Sequence, residues 1–189
     1  MSKDRKSKII KTAVKRFARH GLNKTTLEEI AGDLRIGKAT IYNYFNSKEE
    51  LFYESLNWDS KIILNDISTI LNNEEETFGN NFINYFNYKT TLFENYKLIY
   101  DLMILLFQDP THEKESEILK NMLKEEEKIL QNALNKKLKK NKISAGIKTV
   151  RNIVLASWGF IFSNQLNMIK DKGKELKLDD IALKMLNNL

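Results

Sequence analysis

Apolar residues recur at three- and four-residue spacing along almost the whole of this chain, the periodicity that turns one stripe of an α-helix toward a core. A single proline and seven glycines in 189 residues are too few for a turn-rich all-β protein or a flexible string of domains. An all-α fold of roughly nine helices is therefore expected, in a chain long enough to bury a substantial core. Cysteine is absent, which excludes a disulfide framework, a thiol nucleophile and any Cys-based metal site. No apolar run approaches bilayer length, and the lysine- and serine-rich first eight residues lack the apolar stretch of a signal peptide. A cytoplasmic protein with no membrane partner is expected.

The net charge of +6 is unevenly placed. Residues 1–51 hold twelve Lys or Arg against six Asp or Glu, whereas residues 52–189 hold nineteen of each. All the excess positive charge thus sits in the first quarter, where it suits a polyanionic partner, although solvated helix faces are also charged.

Residues 7–20 place Ile10, Ala13, Val14, Phe17 and Ala18 on one stripe, and Gly21 follows as a helix stop. Thr26 and Glu29 have the spacing of a capping box, in which each side chain bonds the other's backbone amide. Leu27, Ile30, Ala31 and Leu34 face inward on this second helix. After a break at residues 35–37, a third helix over residues 38–44 buries Ile41, with Phe45 just beyond it. Ser47 caps a long fourth helix that reaches about residue 71, with Glu49 and Glu50 in its first turn. Further helices are expected at residues 77–95, 96–107, 112–140, 145–170 and 178–188, with Pro110 ending one and a turn at Lys172, Gly173 and Lys174 separating the last two.

Ala31 and Ile41 lie ten residues apart, with Ile36 beneath the turn between them. A helix-turn-helix needs this arrangement, a small residue where two helices cross closely and a branched apolar residue closing the core. The matching positions continue in both directions: Ile9 or Ile10, Ala13, Phe17, Gly21, Thr25, Thr26, Ile30, Thr40, Tyr42, Tyr44, Phe45, Ser47, Lys48, Glu49, Glu50 and Leu51. Residues 9–51 resemble the DNA-binding domain of the TetR family of repressors. Beyond Leu51 the resemblance rests on helix number and length. Arg35 stands where the family commonly has Gly, Gly37 where it often has Ser, and Ala39 where Gly is frequent, so base preference does not carry over. An Arg in a left-handed conformation costs on the order of 1 kcal/mol.

The resemblance implies a homeodomain-like three-helix DNA-binding domain over residues 1–51 and a helical ligand-binding and dimerisation domain over residues 52–189. The segment from Gly37 would enter the major groove, with Lys38, Ala39, Thr40 and Asn43 reaching base edges. Thr25, Thr26, Tyr42, Tyr44 and Lys48 match positions that touch phosphates in the family. Each also has a plainer reading: Thr26 as a cap, Tyr42 and Tyr44 as packed rings, Lys48 as a solvated lysine.

The aromatic stretch from residue 78 to residue 100 allows core packing or, as the resemblance implies, the wall of an effector cavity. Phe82, Tyr85, Phe86, Tyr96, Tyr100, Met103 and Trp158 are the candidate lining, and Glu94 and Asp101 could answer a cationic ligand. In the family the last two helices pair with their symmetry mates in a four-helix bundle, which makes Val150, Val154, Ser157, Ile161, Gln165, Ile181 and Met185 the candidate dimer interface. Packing of the same face inside one chain is the alternative.

The expected function is a sequence-specific transcriptional regulator: a homodimer on a palindromic operator in double-stranded DNA, released as a repressor by a small, largely apolar effector. Activators, and proteins that need their ligand to bind DNA, share the fold. An enzyme is not expected, because the two histidines, His20 and His112, flank loops and no Glu-x-x-His pair is present. No metal or cofactor is expected. A nonspecific nucleic-acid binder would explain the basic first quarter but not 138 neutral, aromatic-rich residues after it.

Overall fold

A computed structural model describes residues 3–138, 146–165 and 178–187. Among the described residues there are nine helices: α1 (Lys3–Lys24), α2 (Leu27–Asp33), α3 (Lys38–Tyr42), α4 (Lys48–Leu71), α5 (Phe78–Asn95), α6 (Lys97–Gln108), α7 (Glu113–Leu138), α8 (Ile147–Gln165) and α9 (Leu178–Asn187). The turn expected at Lys172, Gly173 and Lys174 lies outside the described residues. No described helix is long and apolar enough to cross a membrane. Residue contacts divide the chain into two units, one of residues 1–62 with 96–119 and one of residues 63–95 with 120–189.

In the first unit, Ile9, Ile10, Ala13 and Phe17 of α1 are buried with Leu27, Ile30 and Ala31 of α2, Ile41 of α3, and Leu51, Phe52 and Leu56 of α4. Phe17 meets Phe52 edge to face, with ring centroids 5.2 Å apart, the orientation the ring quadrupoles favour. The expected stop at Gly21 is present as a break in the helical backbone. Gly21 adopts φ 74° and ψ 171°, a conformation a side chain would strain, and one further helical turn runs on to Lys24. Both bonds of the capping box are present, from Glu29 N to Thr26 Oγ1 and from Thr26 N to Glu29 Oε2. The Arg16 guanidinium clamps both carboxylate oxygens of Asp33 at 2.6 Å, tying α1 to α2.

Asp59, on α4, is only 5 % exposed, and no hydrogen bond or ion pair joins its carboxyl to a described residue. Burial pushes its pKa up to about 7, because the charged form loses water without gaining a partner. A folded pKa above the unfolded one means that the folded state holds the proton more tightly. Stability is therefore favoured below about pH 4 and falls as pH rises toward 7. Asp59→Asn is expected to raise unfolding free energy at pH 8 by roughly 2–4 kcal/mol and to leave it little changed near pH 4. Urea denaturation at the two pH values checks this, and an equal gain at both would refute the titration.

In the second unit, α5 packs against α8 and α9. Phe82, Tyr85 and Phe86 form a fully buried ring cluster, with Tyr85 edge-on to Phe86. Val150, Ile153, Val154 and Trp158 of α8 and Ala182 of α9 are also buried.

Candidate nucleic-acid interface and sensor core

The turn between α2 and α3 is built from local chemistry. Arg35 takes φ 53°, the left-handed conformation for which glycine is the ordinary choice, and accepts the strain noted above. The Ile36 amide then bonds back to the Ala31 carbonyl at 3.0 Å, folding the turn onto α2. Gly37 is extended at the start of α3, with no side chain to cap it. The third helix is shorter than expected and ends at Tyr42, because Tyr44 and Phe45 both return their amides to the Ile41 carbonyl. Ile41 is fully buried, so the opposite side of α3 must face outward.

Gly37, Lys38, Ala39, Tyr42 and Asn43 are exposed, while Thr40, Tyr44 and Lys48 are half-buried. Thr26 is exposed but engaged in the capping box. Thr25 behaves differently: it is fully buried, and its hydroxyl donates to the Gly21 carbonyl at 2.8 Å. In this conformation its side chain fixes the α1–α2 corner and is not presented to a phosphate. Lys38 Nζ lies 2.5 Å from Glu28 Oε1 and 5.5 Å from the centre of the Tyr42 ring. The hydrogen bond to Glu28 raises the Lys38 pKa and lowers that of Glu28. The chief candidate for base contact is thus held by a carboxylate on the neighbouring helix, a contact that sequence reading did not anticipate. Glu28 stands ten residues before Lys38, the same separation as Ala31 and Ile41.

The family of bacterial regulatory proteins named for tetR matches residues 9–54. The uncharacterised HTH-type transcriptional regulator YuxN of Bacillus subtilis is 45% identical over 56 residues, 30% of this chain and 19% of YuxN. IcaR of Staphylococcus aureus, the HTH-type negative transcriptional regulator of the biofilm operon icaADBC, is 39% identical over 51 residues, 27% of either chain. Residues 9–54 are thus similar to the DNA-binding segment of the TetR family. These matches span only about a fifth to a quarter of the curated relatives' own length. The solved structure of the transcriptional regulator FadR from Bacillus subtilis in complex with stearoyl-CoA matches the fold over 96% of this chain and 95% of its own, with a TM-score of 0.64 at 17% identity.

The candidate sensor residues fall in two units. Phe82, Tyr85, Phe86 and Trp158 belong to the second and are buried. Tyr96, Tyr100 and Met103 belong to the first, with Met103 buried and the two tyrosines half-buried. Around Tyr85 and Trp158 the core is not simply apolar. Glu126 of α7 is fully buried and accepts from the Tyr85 hydroxyl and, at 2.7 Å, from Trp158 Nε1. Lys89 of α5 is fully buried too, with Nζ 2.6 Å from Glu126 Oε1 but not aligned for a hydrogen bond. The same ammonium lies 3.7 Å from the centre of the Trp158 ring, where the negative π face attracts a cation. Burial pulls the Lys89 pKa down to about 8 despite the opposing pull of Glu126, and burial beside Glu126 pushes the Tyr85 phenol well up. Ser157 Oγ completes the group, 2.9 Å from the Tyr85 hydroxyl.

Of the candidate dimer residues, Val150, Val154 and Ser157 are buried within the chain, so their side chains offer no surface to a second copy in this conformation. Among the described side chains of α8, those that face outward are Lys148, Thr149, Arg151, Asn152, Leu155 and Gly159. On α9, Ile181 and Met185 are half-buried. The side chains of Ile161 and Gln165 lie outside the described residues. Among charges offered for a cationic ligand, Glu94 is exposed and Asp101 is ion-paired with Lys97.

Proposed function

We propose that this chain is a homodimeric transcriptional regulator that binds double-stranded DNA through residues 1–51 and senses a small molecule and dimerises through residues 52–189. One observation carries the reading: Ile41 is wholly buried while Lys38, Ala39 and Asn43 around it are exposed. That is the disposition of a recognition helix, one side closing the core and the other free to enter a groove. The concentration of positive charge in the same residues supplies attraction for the phosphate backbone.

A symmetric dimer presents two such helices to successive major grooves, about 34–36 Å apart, and so reads a roughly palindromic operator. The outward line of α8, with Leu155 beside the small Gly159, supports close approach of a second copy. The regulator acts as a cytoplasmic repressor, and a small, largely apolar effector releases it by favouring a conformation that does not fit DNA. A coupling of roughly 1–3 kcal/mol is enough. That FadR of Bacillus subtilis was solved with stearoyl-CoA supports an effector of mainly apolar body, here with Phe82, Tyr85, Phe86 and Trp158 as its contacts.

Selection of bound duplexes from a random pool tests the proposal. The expected product is an inverted repeat with half-sites about one helical turn apart. Equal retention of all duplexes at fixed salt would leave only nonspecific binding and overturn it.

A further inference from the structure

Within the first unit, a cavity of about 440 Å³ opens between the kinked end of α1, α4, α6 and the start of α7. Its volume falls in the range of roughly 300–1,000 Å³ usual for small-molecule sites. Phe17, Phe52, Leu98, Leu102 and Leu105 give it apolar walls. Two of these, Phe17 and Phe52, are locked in edge-to-face contact, so that wall is preformed.

One polar group on the lining stands apart from the rest. Glu115 is only 8 % exposed, and the hydrogen bond described for its carboxylate is a long one, 3.4 Å from the Tyr53 hydroxyl. No ion pair joins it to a described residue, and the ammonium of the adjacent Lys114 lies instead over the Tyr53 ring. A buried carboxylate with one weak donor has unused acceptor capacity. The other charges on the lining are engaged or solvated. Both oxygens of Asp101 are held by Lys97, His112 is 3.5 Å from Asp109, and His20 and Lys24 are exposed. The charge acting through the lowest local dielectric is therefore negative, and it is the one a ligand would feel most.

We propose that this cavity is a small-molecule site separate from the sensor core around Trp158, and that it takes a compact arylalkylammonium whose ring lies against Phe17 and Phe52 and whose ammonium pairs with Glu115. The site also touches the corner between α1 and α2. Residues 20–24 line it, and Thr25 next in sequence bonds the Gly21 carbonyl. An occupant would hold the α1–α2 corner in its present glycine-dependent conformation.

Calorimetric titration of the full chain with phenethylamine, 2-phenylethanol and 3-phenylpropanoate at pH 7 tests the proposal. The amine is expected to bind about tenfold or more tightly than the alcohol, as a charge-assisted contact requires, and the carboxylate weakest of all. Glu115→Gln, which keeps an acceptor for Tyr53, should erase the preference for amine over alcohol, and Leu105→Trp should fill the cavity and remove both. Equal binding of amine and alcohol to the unaltered chain, preference for the carboxylate, or no binding of the amine at millimolar concentration would each overturn it. Because the readout is ligand binding without DNA, these outcomes are independent of whether the chain is a regulator.

Discussion

Glu126→Ala is expected to cost about 3–5 kcal/mol of stability, a fall of roughly 6–20 °C in Tm for a chain of this size. The loss is not that of one contact. Glu126 is the acceptor for Tyr85 and Trp158 and the counter-charge for Lys89, and all four groups are buried. Removing it strands the Trp158 N–H, leaves Tyr85 with Ser157 alone, and leaves an ammonium in the core with only a ring face to answer it. The asymmetry of buried ion pairs gives a second expectation. Replacing both partners with apolar residues, as Lys89→Met with Glu126→Leu, should recover most of the loss, because neither charge is then left desolvated and alone. Urea unfolding of the single and double variants decides the matter. A single variant within about 1 kcal/mol of the parent would mean that the pair is solvated in solution and the core around Trp158 is open. The same network bears on sensing, since any effector entering there must keep these donors and this charge satisfied or the core pays in stability for admitting it.

The contrast between the two halves of the chain shows what sequence can carry. The helix-turn-helix segment of residues 9–51 was legible because its determinants are local. Thr26 and Glu29 are three residues apart and bond each other, Gly21 and Arg35 do adopt positive φ, and Ala31 and Ile41 sit at a spacing that fixes one crossing. Thr25 was misleading for a reason of scale. Its hydroxyl is consumed by the Gly21 carbonyl four residues back, at the corner where the chain leaves α1. The polar core was missed because it joins α5, α7 and α8, helices far apart in sequence. A signal was present all the same. Lys89 lies four residues after Tyr85 and three after Phe86, and Glu126 four after Met122 and four before Leu130, each on an otherwise apolar stripe. A charge on the buried stripe of one helix calls for an opposite charge on another. The exposed line of α8 could not be read for the opposite reason, since apolar residues occur on more than one of its sides and the packing against α5 and α7 decides which is covered.

On DNA, Lys38→Ala and Thr40→Ala are expected to change preference at particular base pairs, each by about 1–3 kcal/mol of discrimination. Lys48→Ala should instead weaken all sequences alike and reduce the magnitude of the salt slope by about 0.9. The difference follows from where the groups stand: Lys38 and Thr40 open α3, and Lys48 opens α4. The Glu28 contact sharpens the test. In the DNA-free chain Lys38 is paired with that carboxylate, so reading a base requires it to exchange Glu28 for a base edge. An exposed pair of this kind is weak, because solvent screens it, and a base contact can replace it. Glu28→Gln should therefore strengthen binding severalfold, by freeing Lys38 and by removing a negative charge that would face phosphate, while leaving the preferred base at the Lys38 position unchanged. Fluorescence anisotropy on a selected operator and its single-base variants, repeated over a salt series, separates these effects. If Lys38→Ala and Thr40→Ala both keep full discrimination while Glu28→Gln has no effect, the outer face of α3 is not the surface that reads sequence.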